Sequence, residues 1–214
     1  MTTFFTADQH FGHANILKYE ADARRDERGD TFASVKHMDD ALVEHWNAVV
    51  APDDTVYALG DFSYKRQTIA EYLPLLNGRI TLIVGNHDPY FKRCANGREA
   101  EARELAMEAG FADMHFEHQI EVEGVGLVKL SHFPYAPPDP DDEAFLRYEH
   151  LRPTPTGEIL LLHGHIHSQW LTRQYSNMPL MLNVGVDKHN LHPIPEGEVA
   201  RWFQAMSESS AIGT

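Results

Sequence analysis

The chain has 214 residues, 43% of them hydrophobic, which suits one globular domain and excludes a disordered or collagenous chain. Eighteen Lys and Arg against 32 Asp and Glu leave a formal charge of −14, which excludes a broad basic surface for nucleic acid. One cysteine, Cys94, excludes an intrachain disulfide and a thiolate zinc site, while fourteen histidines are an unusual supply of imidazole. The first apolar run, Thr3–Thr6, follows neither a basic start nor a long apolar stretch, so a cytoplasmic protein without a leader or membrane anchor is expected. Residues 37–50 place Met38, Leu42, Trp46 and Val49 on one helical face, with an N-cap near Ser34 and a stop at Pro52. A strand over Thr55–Leu59 precedes a helix carrying Ile69, Leu73 and Leu76 that ends near Asn77-Gly78, and Ile80–Val84 is the next strand. Residues 98–109 form a third helix closed by Gly110, after which Ile120–Val122, Leu127–Leu130, Ile159–Leu162 and Leu180–Val186 read as strands. Early βαβα alternation and a strand-rich second half predict an α/β protein with mixed sheets in a single domain over 1–204. Residues 134–157, with six prolines, read as a loop or flap over or near the functional site, and 205–214 as a frayed tail.

One pattern recurs five times: an apolar strand ends and metal-ligand residue types follow. Phe4-Phe5-Thr6-Ala7 leads to Asp8-Gln9-His10, and Val56-Tyr57-Ala58-Leu59 to Gly60-Asp61. Ile80 to Val84 leads to Gly85-Asn86-His87-Asp88, Leu127 to Leu130 to Ser131-His132, and Ile159 to Leu162 to His163-Gly164-His165-Ile166-His167. In open α/β sheets, ligands bind beyond the carboxyl ends of strands, so five such deliveries converge on one place. Residues two apart on extended backbone share a side, which pairs Asp8 with His10 and His165 with His167. Gly60, Gly85 and Gly164 stand where turns need positive φ or close backbone approach. A lone Gly-Asp is mostly a turn and a lone His-x-His mostly a surface pair; the fivefold repetition carries the argument.

In type, spacing and order these motifs, from Asp8 to His167, resemble those of the calcineurin-like metallophosphoesterase superfamily. The stretch from Asp8 to Asn15 resembles its small bacterial and phage members. The resemblance implies a four-layer α/β/β/α sandwich with two mixed β-sheets and a dinuclear metal site at the strand C-terminal ends. It implies that Asp8, His10, Asp61 and His167 hold one metal and Asp61, Asn86, His132 and His165 the other, with Asp61 bridging. Nitrogen and oxygen ligands without thiolate suit two divalent transition metal ions, Mn²⁺ first, with Fe, Zn²⁺, Ni²⁺ or Co²⁺ as the other choices. By the same resemblance His87 is a proton donor and Asp88 orients its ring and keeps it protonated; the simpler reading is that His87 only hydrogen-bonds the phosphate. Asn86, His87 and His13 are the substrate-binding candidates, although His13 and Asn15 also suit the start of a helix. His163 reads equally as a partner behind the ligands or as a buried strand-end histidine, and Asn183 as structural. Lys65 or Arg66 after Asp61 offers a cation to a phosphate oxygen. Gly60-Asp61-x-x-Tyr64 also matches purple acid phosphatases, but their first motif is Asp-x-Gly. Here His10 fills that place, so Tyr64 is expected to be a bystander and the protein colourless.

The expected activity is therefore dinuclear-metal-dependent phosphoester hydrolysis, directed at small nucleotide-type phosphodiesters. A hydroxide held between two metals about 3.5–4 Å apart is the expected nucleophile. The alternatives are a nuclease of the same superfamily and a catalytically silent metal-binding scaffold. The −14 charge and the lack of a basic, aromatic-laced stretch weigh against the first, and the complete ligand set against the second. The expected partner is a small phosphoester, with no membrane and no extended nucleic acid. The natural substrate is left open, because loops 11–36 and 134–157 shape the pocket.

Overall fold

The computed structural model describes residues 1–137 and 148–212. Four parallel strands, β1 (Thr3–Thr6), β2 (Thr55–Ala58), β3 (Arg79–Ile83) and β4 (Asp113–His115), form the first sheet, and β10 (Ile194–Pro195) pairs antiparallel outside β1. Phe4 lies opposite Val56, and Val56 opposite Ile80, so the carboxyl ends of β1, β2 and β3 finish level. The second sheet runs β5 (Glu117–Val122), β6 (Gly126–Ser131), β7 (Leu160–His163), β9 (Leu180–Asn183) and β8 (Thr172–Arg173) in spatial order. Here β6, β7 and β9 are parallel, and the edge strands β5 and β8 are antiparallel. Both sheets are mixed, as expected.

Alternation along the strands decides the layers. Phe4, Val56, Ala58, Ile80 and Leu82 face a cluster that includes Met38, Leu42 and Trp46 of α2 (Val35–Val49), Ile69 of α3 (Arg66–Tyr72) and Ala102 and Ala106 of α5 (Glu99–Glu108). Phe5, Ala7, Leu59 and Ile83 face the other way, against Val128, Leu130, Leu160, Leu162 and Leu182 of the second sheet. Ala7 and Gly185 form a parallel bridge that joins the two sheets where β1 and β9 end. On the outer face of the second sheet, Leu161 and Met181 are covered by Tyr135, Trp170, Tyr175 and Met178. Among the described residues, loop side chains rather than a helix thus make up the fourth layer.

The helices follow local rules. Ser34 caps α2 by accepting the His37 N–H at 3.1 Å. Pro74 leaves α3 to end in a tighter 3₁₀ turn over Leu73–Leu75, where the sequence suggested one helix reaching Leu76. Two short helices, α1 (Ile16–Tyr19) and α4 (Phe91–Ala95), lie outside the expected set. So does the terminal helix, α6 (Glu196–Ile212), which occupies much of the stretch expected to fray. Its Val199, Phe203 and Met206, at helical spacing, enter the core between the sheets. Among the described residues no helix is long and apolar enough to cross a membrane. Of the expected flap over 134–157, residues 138–147 lie outside the described residues; a 3₁₀ turn, Glu149–Leu151, follows them.

Candidate metal centre

Backbone zips the first two motif loops together beyond the sheet. Asp8 N–H donates to Gly60 O at 3.0 Å and His10 N–H to Asp61 O at 2.9 Å. Among the described residues, nine non-glycine residues have positive φ, and five of them are expected ligands: Asp8, His10, Asp61, His165 and His167. Left-handed backbone at bulky residues costs energy and survives where surrounding contacts fix it, a condition typical of functional sites. Two glycines allow the loops to close. A Cβ on Gly85 would stand 2.3 Å from both the Asp61 nitrogen and Asp61 Oδ1, and one on Gly164 2.5 Å from the Ala7 Cβ.

Asp8, His10 and His167 bring ligand atoms within 4.8 Å of one another, and so do Asp8, Asp61 and His132. Asp61 is shared between the two halves: Oδ2 lies 3.4 Å from His10 Nε2 and Oδ1 3.4 Å from His132 Nε2. Asn86 Oδ1 lies 3.1 Å from His132 Nε2. Two ligand atoms each bonded at about 2.0–2.1 Å to one ion stand about 2.9–3.4 Å apart, so these separations suit metal ligands. His132 Nδ1 donates to Leu59 O at 2.9 Å, which turns the lone pair of Nε2 toward those oxygens. His167 Nδ1 donates to Asp187 Oδ2 at 2.8 Å and likewise leaves Nε2 free to bind. Both ring nitrogens of His10 are buried without a hydrogen-bond partner.

Electrostatics agree. Burial pushes the Asp8 carboxyl up to about 6, while the nearby His167 pulls it down. Burial, with Asp8 and Asp88 beside it, pushes Asp61 well above the carboxylate range. Burial drives His10 and His165 well below the usual imidazole value and His132 to about 3. Burial lowers His167, but Asp8 and the Asp187 hydrogen bond outweigh it and raise that ring. Three neutral imidazoles and a titrating one thus stand beside raised carboxylates, a donor set that a divalent cation completes by displacing their protons. The residues present therefore fit the metal that the motifs imply.

The other expected site residues fall into place unevenly. The ring of His165 belongs to neither group; it stands edge-on to His132 at 5.1 Å and to Phe133 at 4.8 Å. Its backbone N–H instead donates to both Asp8 oxygens, at 3.1 and 3.0 Å. His87, with 34% of its side chain exposed, is more open than His10, His132 or His167. Its N–H donates to Asp61 Oδ1 at 2.8 Å and its Nε2 lies 3.9 Å from Asp61 Oδ2. Asp88 departs from the role expected of it. Its Oδ1 accepts from Phe62 and Ser63 N–H, and its Oδ2 from Asp61 and Gly85 N–H, at 2.8–3.3 Å. Four donors occupy the four lone-pair sites of a carboxylate, which leaves no capacity to orient the His87 ring. Burial pushes Asp88 up to about 7, and those four N–H groups pull it down.

His13 packs against His10 at 5.2 Å and Tyr64 at 4.7 Å, and Tyr64 lies 4.5 Å from His87. Tyr64 is therefore a neighbour of the centre rather than remote from it. Asn15 makes no side-chain cap on α1. Arg66 points toward α5, donating to Leu105 O at 3.4 Å. His163 bonds Gly164 O through Nδ1 at 2.8 Å and packs on Trp170, which makes it a buried strand-end histidine. Cys94 is buried, and burial pushes its thiol up to about 12, so it stays protonated. The described end of the 134–157 segment reaches the centre through Tyr148, 6.4 Å from the His165 ring.

Sequence reasoning missed Arg24, which follows no apolar run, and read residues 183–187, Asp187 among them, only as structural. Asn183, read as structural, ties down the His167 turn. Its Nδ2 donates to His167 O and Trp170 O, and its Oδ1 accepts from Gly185 N–H.

Fold and site together define an α/β sandwich protein whose imidazole and carboxylate groups can bind metal at one edge of its paired sheets. The chain belongs to the family of the gene 66 proteins of Mycobacterium phages L5 and D29. It is 32% identical to the L5 protein over 86% of each chain, and 33% identical to the D29 protein over 90% of this chain and 92% of that one. An uncharacterized protein of Methanocaldococcus jannaschii, MJ1445, is 40% identical over 90 residues, which are 41% of this chain and 47% of that protein; the match thus spans under half its length. Among solved structures, the protein of unknown function AQ665 from Aquifex aeolicus shares the fold, with a TM-score of 0.61 and 24% identity over 94% of this chain and 98% of the other. A looser likeness, with a TM-score of 0.46 and 14% identity, is to the phosphopantetheinyl hydrolase of Mycobacterium tuberculosis and carries no functional argument. No family model matches the chain.

Proposed function

We propose that this protein is a phosphoester hydrolase of the calcineurin-like metallophosphoesterase type, dependent on two divalent metal ions and acting on small phosphodiesters. One observation carries the reading: the Asp61 carboxylate stands between His10 and His132 with one oxygen toward each, at 3.4 Å. That is the arrangement of a bridge between two ions. Asp8, His10, Asp61 and His167 would hold one metal, and Asp61, Asn86 and His132 the other, with His165 close enough to His132 to complete it. The bound ions would supply Lewis acidity toward the phosphoryl oxygens and a water acidic enough to attack at neutral pH.

The chain's own side chains do the rest. His87, half-open beside Asp61, holds a proton where a leaving oxygen arrives. The amide of Asn86 and the rings of His13 and Tyr64 shape the approach. The −14 charge disfavours a long polyanion and leaves small esters as the substrate class.

The test is turnover by manganese-loaded protein of bis-aryl phosphate, mono-aryl phosphate and cyclic nucleotides, with an Asp61→Ala variant alongside. Diester hydrolysis that vanishes with Asp61→Ala is expected. A fully loaded protein inert toward every ester would overturn the reading, and cleavage of single-stranded oligonucleotide at low salt would favour the nuclease.

A further inference from the structure

Arg24 is only 1% exposed, although Asp22 and Arg25 beside it lie partly or wholly at the surface. A guanidinium has five N–H donors, and here five contacts meet them. Nε donates to Asp187 Oδ1 at 2.7 Å and Nη2 to Asp187 Oδ2 at 3.3 Å. Nη2 also donates to the backbone carbonyl of Asp8, and Nη1 to Gln9 O at 2.9 Å and to Met38 Sδ at 3.4 Å. Asp187 Oδ2 in turn accepts from His167 Nδ1 at 2.8 Å.

One side chain thus grips the first ligand loop by two successive carbonyls and the last ligand loop through a carboxylate and an imidazole. Both grips meet in the Asp8, His10 and His167 group, whereas the Asp8, Asp61 and His132 group shares only Asp8 with them. None of Arg24's recorded hydrogen bonds goes to Asn86 or His132. Asp8 has φ near 60°, and its carbonyl and N–H are both captured, by Arg24 and by Gly60 O. Asp187 neutralises the guanidinium, so a buried positive charge can stand beside a cation site without opposing it.

We propose that Arg24, acting through Asp187, is a positioning residue for one of the two metal sites. It locks Asp8 and His167 in binding register and reaches the site around His132 only through the shared Asp8. The inference rests on the metal-binding reading above. Loss of an outer partner of this kind typically lowers metal affinity about 10–100-fold.

The experiment titrates Mn²⁺ into the metal-free full-length chain by calorimetry, with electron paramagnetic resonance to follow bound ion. Unaltered protein, Arg24→Met, Arg24→Lys, Asp187→Asn and a stability control, Ser34→Ala, are compared. Two equivalents should bind the unaltered protein and Ser34→Ala alike. In Arg24→Met and Asp187→Asn one equivalent should weaken about 10–100-fold and the other, which shares only Asp8, much less, with Arg24→Lys between. Should Arg24→Met not fold, Asp187→Asn carries the same expectation with its volume preserved. Two full-strength equivalents in both variants would overturn this proposal alone, as would equal weakening of both sites. No Mn²⁺ bound by unaltered protein would overturn it together with the hydrolase reading.

Discussion

His87 and Asp88 are adjacent, yet they do unrelated work. The imidazole is partly open beside the metal groups, whereas the carboxylate faces backwards and closes two turns. Their substitutions should separate cleanly. In Asp88→Asn the amide oxygen accepts at most two of four N–H groups, and each orphaned donor costs about 1–3 kcal/mol. The melting temperature should then fall by about 4 °C or more, measured without metal. In His87→Asn the melting temperature and Mn²⁺ affinity should hold while kcat drops about 10²–10⁴-fold on esters with poor leaving groups. Esters with an acidic aryl leaving group should lose much less, because they need no proton. The ligand residues were legible because each follows an apolar run that fixes its place at a strand end. The work of Asp88 was not, since a carboxylate that binds backbone looks the same in sequence as one that orients a ring. Arg24 was invisible for a related reason: its partner Asp187 is 163 residues away.

At the level of elements, sequence signals held wherever a local rule was decisive. Ser34 caps α2, and Met38, Leu42 and Trp46 are its buried stripe, as the spacing requires, whereas Val49, expected on the same face in the last turn, is exposed. Ser34→Ala removes the acceptor for His37 N–H and should cost about 1 kcal/mol. The melting temperature should fall by roughly 2–4 °C with Mn²⁺ binding intact, because α2 supplies no ligand. Signals failed where tertiary packing was decisive. No helix over 196–212 was read from the sequence, yet Val199, Phe203 and Met206 anchor α6 in the core between the sheets. Likewise the outer face of the second sheet gains its cover from Trp170 and Tyr175, whose loop gave no periodic pattern.

For the molecule as a whole, protons and metal compete for one set of carboxylates. Free Asp8 titrates at about 6, raised by burial, so below that pH an ion must displace its proton. Burial keeps His10, His132 and His165 neutral well below their usual value, but Asp8 and Asp187 outweigh burial at His167 and raise it, so that ring must also give up a proton. Mn²⁺ affinity should therefore fall with falling pH by at least roughly tenfold per pH unit below about 6, with Asp61 and His167 releasing protons beside Asp8 as the ions bind. Thermal shifts with and without Mn²⁺ at pH 8 and pH 5 check this; an equal shift at both would refute it.

The Ala7–Gly185 bridge has one more consequence. Asp8, His10, Asp61 and Asn86 follow strands of the first sheet, and His132, His165 and His167 follow strands of the second. Cutting the backbone between β4 and β5 would divide these seven residues into two incomplete sets. The two fragments should then pull together more strongly when a transition metal is added, the ion serving as a clasp whose strength a simple fragment-complementation assay can read.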